Sequence, residues 1–231
     1  MGADDFDFLS GELSAIGQIK GLIAQNFSMQ HKVHHREVEL VLRLARAAEC
    51  RDPETGNHII RMALYAALIA RELGMAAPYC DMIKRAAPLH DIGKLGIPDN
   101  ILLSPNRLTT IEFDVMKQHP SIGHSILSGS DSPLIQMGAQ IALHHHEKFD
   151  GTGYPDGLAG EQISLPGRIV AVADVFDALT SSRPYKKAWS LERTREHMLG
   201  LSGSHFDPGC VDALFSAWPD VLKIHQQLLD T

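Results

Sequence analysis

The stretch His144-His145-His146-Glu147-Lys148-Phe149-Asp150-Gly151-Thr152-Gly153-Tyr154-Pro155 decides how this chain is read. Adjacent imidazoles beside a carboxylate, running into a Gly/Pro loop, are costly to bury unless something binds them. Its counterpart stands upstream, His90-Asp91-Ile92-Gly93-Lys94. Neutral imidazole and carboxylate are the mixed nitrogen and oxygen donors that first-row divalent metals accept. Together the two segments imply metal-dependent hydrolytic chemistry.

Around them the sequence is patterned for helices. Over residues 8–30 apolar side chains fall three and four apart, at Leu9, Leu13, Ile16, Ile19, Ile23 and Phe27, the stripe of an amphipathic helix. Gly11, Gly17 and Gly21 weaken it, each by about 1 kcal/mol relative to Ala. Such a helix either packs on the body of the domain or pairs with a second copy in a homodimer. Val38, Val41, Leu42 and Ala45 form the next stripe. Asp52-Pro53-Glu54 reads as a helix start; that helix carries Ile59, Met62, Leu64, Leu68 and Ile69 and stops at Leu73-Gly74. Further helices are expected at about 79–90, 109–117, 120–128, 133–147, 166–180, 190–201 and 208–216, with one more over 217–229. Ile169-Val170-Ala171-Val172-Ala173 has the composition of a strand but continues without turn residues into Asp174-Val175-Phe176, so it reads as a buried helix. Two long loops, 91–108 and 148–165, are rich in Gly, Pro, Asn and Asp; loops of that length in a compact domain tend to carry function. The expected division is an N-terminal helical segment or linker over residues 1–31 and a catalytic domain over 32–231.

Composition narrows the partners. A net charge of −7 argues against binding nucleic-acid polymers or anionic membranes, which call for a basic face. A small anionic substrate is still compatible, because a bound metal supplies local positive charge. Cys50, Cys80 and Cys210 fit neither a disulfide framework nor a zinc ribbon. No apolar run approaches the roughly 20 residues of a membrane helix, and the start of the chain is acidic where a secretory signal would be basic. A cytoplasmic location is expected.

The candidate ligands are spread over several helices. Glu54 and His58 stand four apart on one helix and share a face. His90-Asp91 closes a helix at a glycine, where the helix dipole favours the imidazole but not the carboxylate; a metal accounts for both. His119 precedes Pro120, and Asp174 lies within an apolar helix, where a buried carboxylate needs a partner. Successive helical residues point about 100° apart, so two rings of the triplet can converge while the third turns away. Spacing leaves both His144–His145 and His145–His146 open.

This order, Glu/His, His-Asp, His, His-His and Asp on successive helices, resembles the HD superfamily of metal phosphohydrolases. More closely it resembles the HD-GYP family of cyclic di-GMP phosphodiesterases. The resemblance covers roughly residues 35–225. It is carried by Glu54-Thr55-Gly56-Asn57-His58, Ala87-Pro88-Leu89-His90-Asp91-Ile92-Gly93-Lys94, Met116-Lys117-Gln118-His119-Pro120, the run from His145 to Pro155, and the run from Val172 to Tyr185. It implies an all-α HD-domain helical bundle. It also implies metal ligation by His58, His90, Asp91, His119, His145, His146 and Asp174, with Glu54 joining them in a subset of the family and His144 an extra. Ser104-Pro105-Asn106 departs from the family's usual Lys-Pro-Gly, and Lys148 stands where Arg is common.

Five imidazoles and three carboxylates exceed what one octahedral ion accepts. The set therefore implies two or three divalent ions with Asp91 bridging, and the donor mixture suits iron or manganese. Paired ions about 3.5–4 Å apart clamp a phosphate oxygen and stabilise the attacking and leaving oxygens of an in-line displacement. Lys94, three residues after Asp91, is expected at the scissile phosphate. The resemblance assigns Arg183 and Lys186 to phosphate contacts and admits Tyr185 as a stacking surface for guanine. It leaves the Gly153-Tyr154-Pro155 loop to shape the site or to dock a diguanylate cyclase domain. The expected reaction is hydrolysis of cyclic di-GMP to linear pGpG, with GMP as a further product to be tested. One rival is an HD-superfamily phosphohydrolase acting on another nucleotide, a mixed cyclic dinucleotide included; it would not require the 145–155 and 183–186 blocks. A second is a non-catalytic cyclic di-GMP receptor or signalling adaptor, which would be expected to have lost ligands or Lys94. None is lost here.

Overall fold

The computed structural model describes residues 36–48, 51, 56–182 and 187–228, with scattered positions between 20 and 29. The N-terminal stripe from Leu9 to Phe27 and the helix start Asp52-Pro53-Glu54 lie outside the described residues. The chain divides between Leu40 and Val41 into two compact units, the second of which holds every described site residue.

Among the described residues the regular structure is helical throughout, apart from two isolated bridges, Asp150–Ala159 and Ser202–Phe206. After α1 (36–48) come α2 (Gly56–Glu72), α3 (Ala77–Ala86), α4 (Asp99–Leu102), α5 (Thr110–Met116), α6 (His119–Leu127) and α7 (Pro133–His144). There follow α8 (Leu165–Thr180), α9 (Leu191–Gly200), α10 (Pro208–Ser216) and α11 (Trp218–Gln227). Short 3-10 turns occupy Ala87–Leu89, Ile92–Gly96 and Gly160–Gln162. Among the described residues the fold is the all-α bundle expected from the sequence.

Helix α2 is the axis, packed against α3, α8, α10 and α11. Its Ile59, Met62, Tyr65, Ala66 and Ile69 are buried at helical spacing, and each large apolar side chain so buried contributes about 1.5–3 kcal/mol. Ile169 to Ala173 on α8 are buried without a break, the mark of a helix enclosed on all sides. Phe176 then closes edge-on against Tyr65, ring centres 5.1 Å apart. Starts and stops follow local chemistry. Thr109 and Glu112 form a capping box on α5, while Ser132 and Ser164 cap α7 and α8. Gly74, at φ 79°, takes the left-handed turn that ends α2.

Three segments differ from the periodicity. The helix expected over 79–90 stops at Ala86 and tightens into the 3-10 turn Ala87–Leu89, because Pro88 has no N–H to donate and its ring would strike the carbonyl four residues back. The helix expected over 133–147 ends at His144, so His145 and His146 sit in the turn beyond it. The loop 91–108 holds the turn Ile92–Gly96 and the short α4. No helix among the described residues is long and apolar enough to cross a membrane.

Candidate metal centre

Four histidines reach the same interior space from different elements, each with its Nδ1 already engaged. His58, on α2, has Nδ1 2.8 Å from Asp177 Oδ2. His90 and His119 direct Nδ1 to the carbonyls of Ala87 and Met116, at 3.1 and 2.8 Å. His145 Nδ1 lies 3.1 and 3.0 Å from the carbonyls of Ile141 and Ala142. Such bonds orient each ring and leave its Nε2 as the atom that could ligate a metal.

Those nitrogens converge on carboxylates. Asp91, His119, His145 and His146 form one group and His58, His90 and Asp174 a second; within each, the candidate ligand atoms lie within 4.8 Å of one another. Asp91 stands between them. Its Oδ1 is 3.3 Å from His119 Nε2 and 3.5 Å from His145 Nε2, while its Oδ2 is 3.2 Å from His90 Nε2. In the second group His58 Nε2 is 3.6 Å from Asp174 Oδ1. Lys94 completes the arrangement, its Nζ 2.7 Å from Asp91 Oδ2.

Electrostatics divides the rings. Burial lowers His145, and burial together with His145 and His119 holds His146 well below the ordinary imidazole value, so both are neutral donors. Burial also works against charge on His90, yet the adjoining Asp91 carboxylate outweighs it and raises His90 to about 9. Burial would raise Asp91, but Lys94 and His90 hold it well down as an anion.

The donor set fits a divalent metal. Nε2 of His90 and Oδ1 of Asp91 are buried without a hydrogen bond among the described residues, a costly state unless a cation is the intended partner. One group offers three imidazoles and a carboxylate, the other two imidazoles and a carboxylate with further positions open, and neither contains a thiolate.

Seven of the eight ligands named from the sequence are thus brought together in these two groups. Glu54 lies outside the described residues, as do Arg183, Tyr185 and Lys186. His144 turns away, its Nδ1 2.9 Å from Ser164 Oγ. The two convergent rings of the triplet are His145, which caps α7 in a helical conformation with its N–H on the Ile141 carbonyl at 3.0 Å, and His146 in the turn beyond.

Sequence reasoning passed over four supporting residues. Asp177, fully buried, binds His58 and also Arg61, whose Nε lies 2.6 Å from its Oδ1. Arg61 in turn donates to Ser181 Oγ and to the Leu228 carbonyl, both at 2.7 Å. Arg51 donates to the carbonyls of Leu95 and Ile97, at 2.7 and 3.0 Å, and pairs with Asp99, so it grips the turn that carries Lys94. Glu147 is buried and accepts the backbone N–H groups of Asp156, Gly157 and Leu158 at 2.7, 3.1 and 3.1 Å. The signal for Asp177 was available: it follows Asp174 by three residues and so shares its face of α8.

Residues 38–210 match the HD domain family. The chain belongs to that family. Its HD domain is 54% identical over 184 residues to the cyclic di-GMP phosphodiesterase response regulator RpfG of Xanthomonas campestris, covering 80% of this chain and 49% of that protein. It is 43% identical over 210 residues to the 3'3'-cGAMP-specific phosphodiesterase 2 of Vibrio cholerae, covering 91% of this chain and 40% of that one. Among solved structures, the HD domain of the L. monocytogenes phosphodiesterase PgpH in complex with cyclic-di-AMP matches with a TM-score of 0.54 at 19% identity, over 77% of this chain and 97% of that one. The last likeness shows the shared fold. The HD-GYP resemblance is borne out by the relatives' names, and the chain spans about half the length of the curated relatives it matches.

Proposed function

We propose that this HD domain hydrolyses the 3′–5′ phosphodiester bonds of cyclic di-GMP. The observation that carries the reading is the placement of Asp91, with one oxygen toward each of two donor groups and Lys94 against it. In this reading Asp91, His119, His145 and His146 would hold one divalent ion and His58, His90 and Asp174 another, with Asp91 open to both groups and Glu54 available to a third. Iron or manganese suits the donors. Bound there, the metal supplies Lewis-acid activation of water and of the phosphate oxygens.

The chain's own residues do the rest. Asp91 holds negative charge between the two groups, and the Lys94 ammonium stands where it can neutralise a non-bridging oxygen of the scissile phosphate. Arg183 and Lys186 are assigned to the second phosphate and Tyr185 to a guanine face. Water adds to phosphorus, the bond from phosphorus to the ribose 3′ oxygen breaks, and the proton passes to that oxygen, giving linear pGpG.

A second reading is supported by the V. cholerae relative named for 3'3'-cGAMP: the same chemistry on a mixed cyclic dinucleotide. Incubation of the Mn2+- or Fe2+-loaded protein with cyclic di-GMP, 3'3'-cGAMP and cyclic di-AMP, followed by chromatography, separates them. Cyclic di-GMP consumed fastest, with pGpG appearing, is the expected result. Faster loss of 3'3'-cGAMP would move the assignment to the second reading, and no turnover of any of the three would overturn both.

A further inference from the structure

One histidine of the centre is held differently from the others. His58, His90, His119 and His145 are each oriented through Nδ1 by a carboxylate or a carbonyl. His146 has no such bond among the described residues; its ring instead stacks on that of Tyr154, centres 4.8 Å apart and planes 27° apart. The His145 and His119 rings also meet it, but tilted by 41° and edge-on, centres 4.1 and 4.9 Å away. Imidazole rotation about χ2 is broad, and among the described residues the tyrosine supplies the near-parallel face that sets the plane of this ring.

The tyrosine is itself held from three sides. Its backbone N–H donates to the His146 carbonyl at 3.2 Å, and Phe113 of α5 meets its ring edge-on at 6.5 Å. Beyond Pro155 the chain is bound through three backbone N–H groups to the buried carboxylate of Glu147. Before it, Gly153 passes so close that a Cβ there would lie 2.2 Å from the Lys148 nitrogen. Burial, with Asp91 next, pushes the phenol above its usual value, so the ring stays neutral beside the imidazole.

The geometry points to Tyr154 as the positioning residue for His146, taking by ring stacking the part that hydrogen bonds play for the other four histidines. The inference rests on the reading of the two donor groups as metal sites, and the test separates the two. Metal-depleted wild-type, Tyr154→Phe and Tyr154→Leu proteins are titrated with Mn2+ by calorimetry, with circular dichroism as the check on folding. Tyr154→Phe keeps the stacked face and is expected to bind as wild type. Tyr154→Leu fills the space without that face; one class of Mn2+ site should weaken about tenfold, the scale of losing a ligand's orienting partner, while the other class keeps its affinity. Wild-type binding by a folded Tyr154→Leu protein overturns the positioning role, as does equal weakening in Tyr154→Phe or equal weakening of both classes. A wild-type protein that takes up no Mn2+ overturns the metal reading and this inference with it.

Discussion

Asp91 is the residue on which the centre depends, because its two oxygens face different donor groups. Asp91→Asn keeps the shape but removes the negative charge between the two donor groups. Turnover of cyclic di-GMP should fall by more than about a hundredfold, beyond the range seen for outer partners of metal ligands, with the helical circular dichroism unchanged. Asp177 matters differently. It joins His58 to Arg61 in a buried set, and Asp177→Asn leaves the guanidinium without its counter-charge, a loss of about 3–5 kcal/mol measurable by denaturant titration. Burial alone would raise Asp177, but His58 and Arg61 bring it below the ordinary carboxylate value. Because the folded pKa is depressed, its stabilisation is complete above about pH 4 and is lost as pH falls through the lower folded value. The candidate ligands were legible as a set because imidazoles and carboxylates are out of place among apolar helices. Arg61 was not, since alone it reads as an ordinary polar residue on a helix face, and Asp177 is signalled only by its spacing from Asp174.

At the level of elements, the turn Ile92–Gly96 and helix α6 must meet at close quarters to bring Lys94, Asp91 and His119 together. A Cβ on Gly93 would lie 1.9 Å from the His119 carbonyl oxygen and 2.5 Å from the Gly123 nitrogen, both backbone atoms that cannot step aside. Gly93→Ala should therefore cost at least the roughly 1–3 kcal/mol of an overpacked core and should lower metal content as His119 is displaced. Gly96→Ala is the control: its Cβ would meet the Ile122 side chain at 2.9 Å, which can rotate. Equal melting temperatures and metal contents for the two variants would contradict this packing. Helix positions followed from apolar spacing, and α8 was recognisable despite its strand-like composition. The ends near the site were less legible. Pro88 forces the tight turn before His90, and α7 ends at His144 with no glycine at its C-cap to mark the stop.

For the whole molecule, the centre ties together α2, α6, α8 and the turns beyond α3 and α7, so its occupancy and the stability of the bundle are linked. Metal at a hundred times its dissociation constant stabilises a folded chain by about 2.7 kcal/mol, or roughly 5–10 °C in Tm for a domain of this size. Chelation should lower the melting temperature by that order and stop turnover, and Mn2+ should restore both; a melting curve indifferent to chelation would contradict the link. The bundle was visible in the sequence through its periodicity and its histidines. The substrate contacts are expected through resemblance alone, because Arg183, Tyr185 and Lys186, which lie outside the described residues, carry no pattern of their own. The central claim is that two donor groups share one carboxylate, and anomalous diffraction from crystals grown with Mn2+ tests it most directly. The account predicts peaks on both sides of Asp91, one among His119, His145 and His146 and one among His58, His90 and Asp174, with Glu54→Gln removing only a third peak beyond His58. A single peak, or peaks away from these residues in a fully loaded crystal, would contradict it.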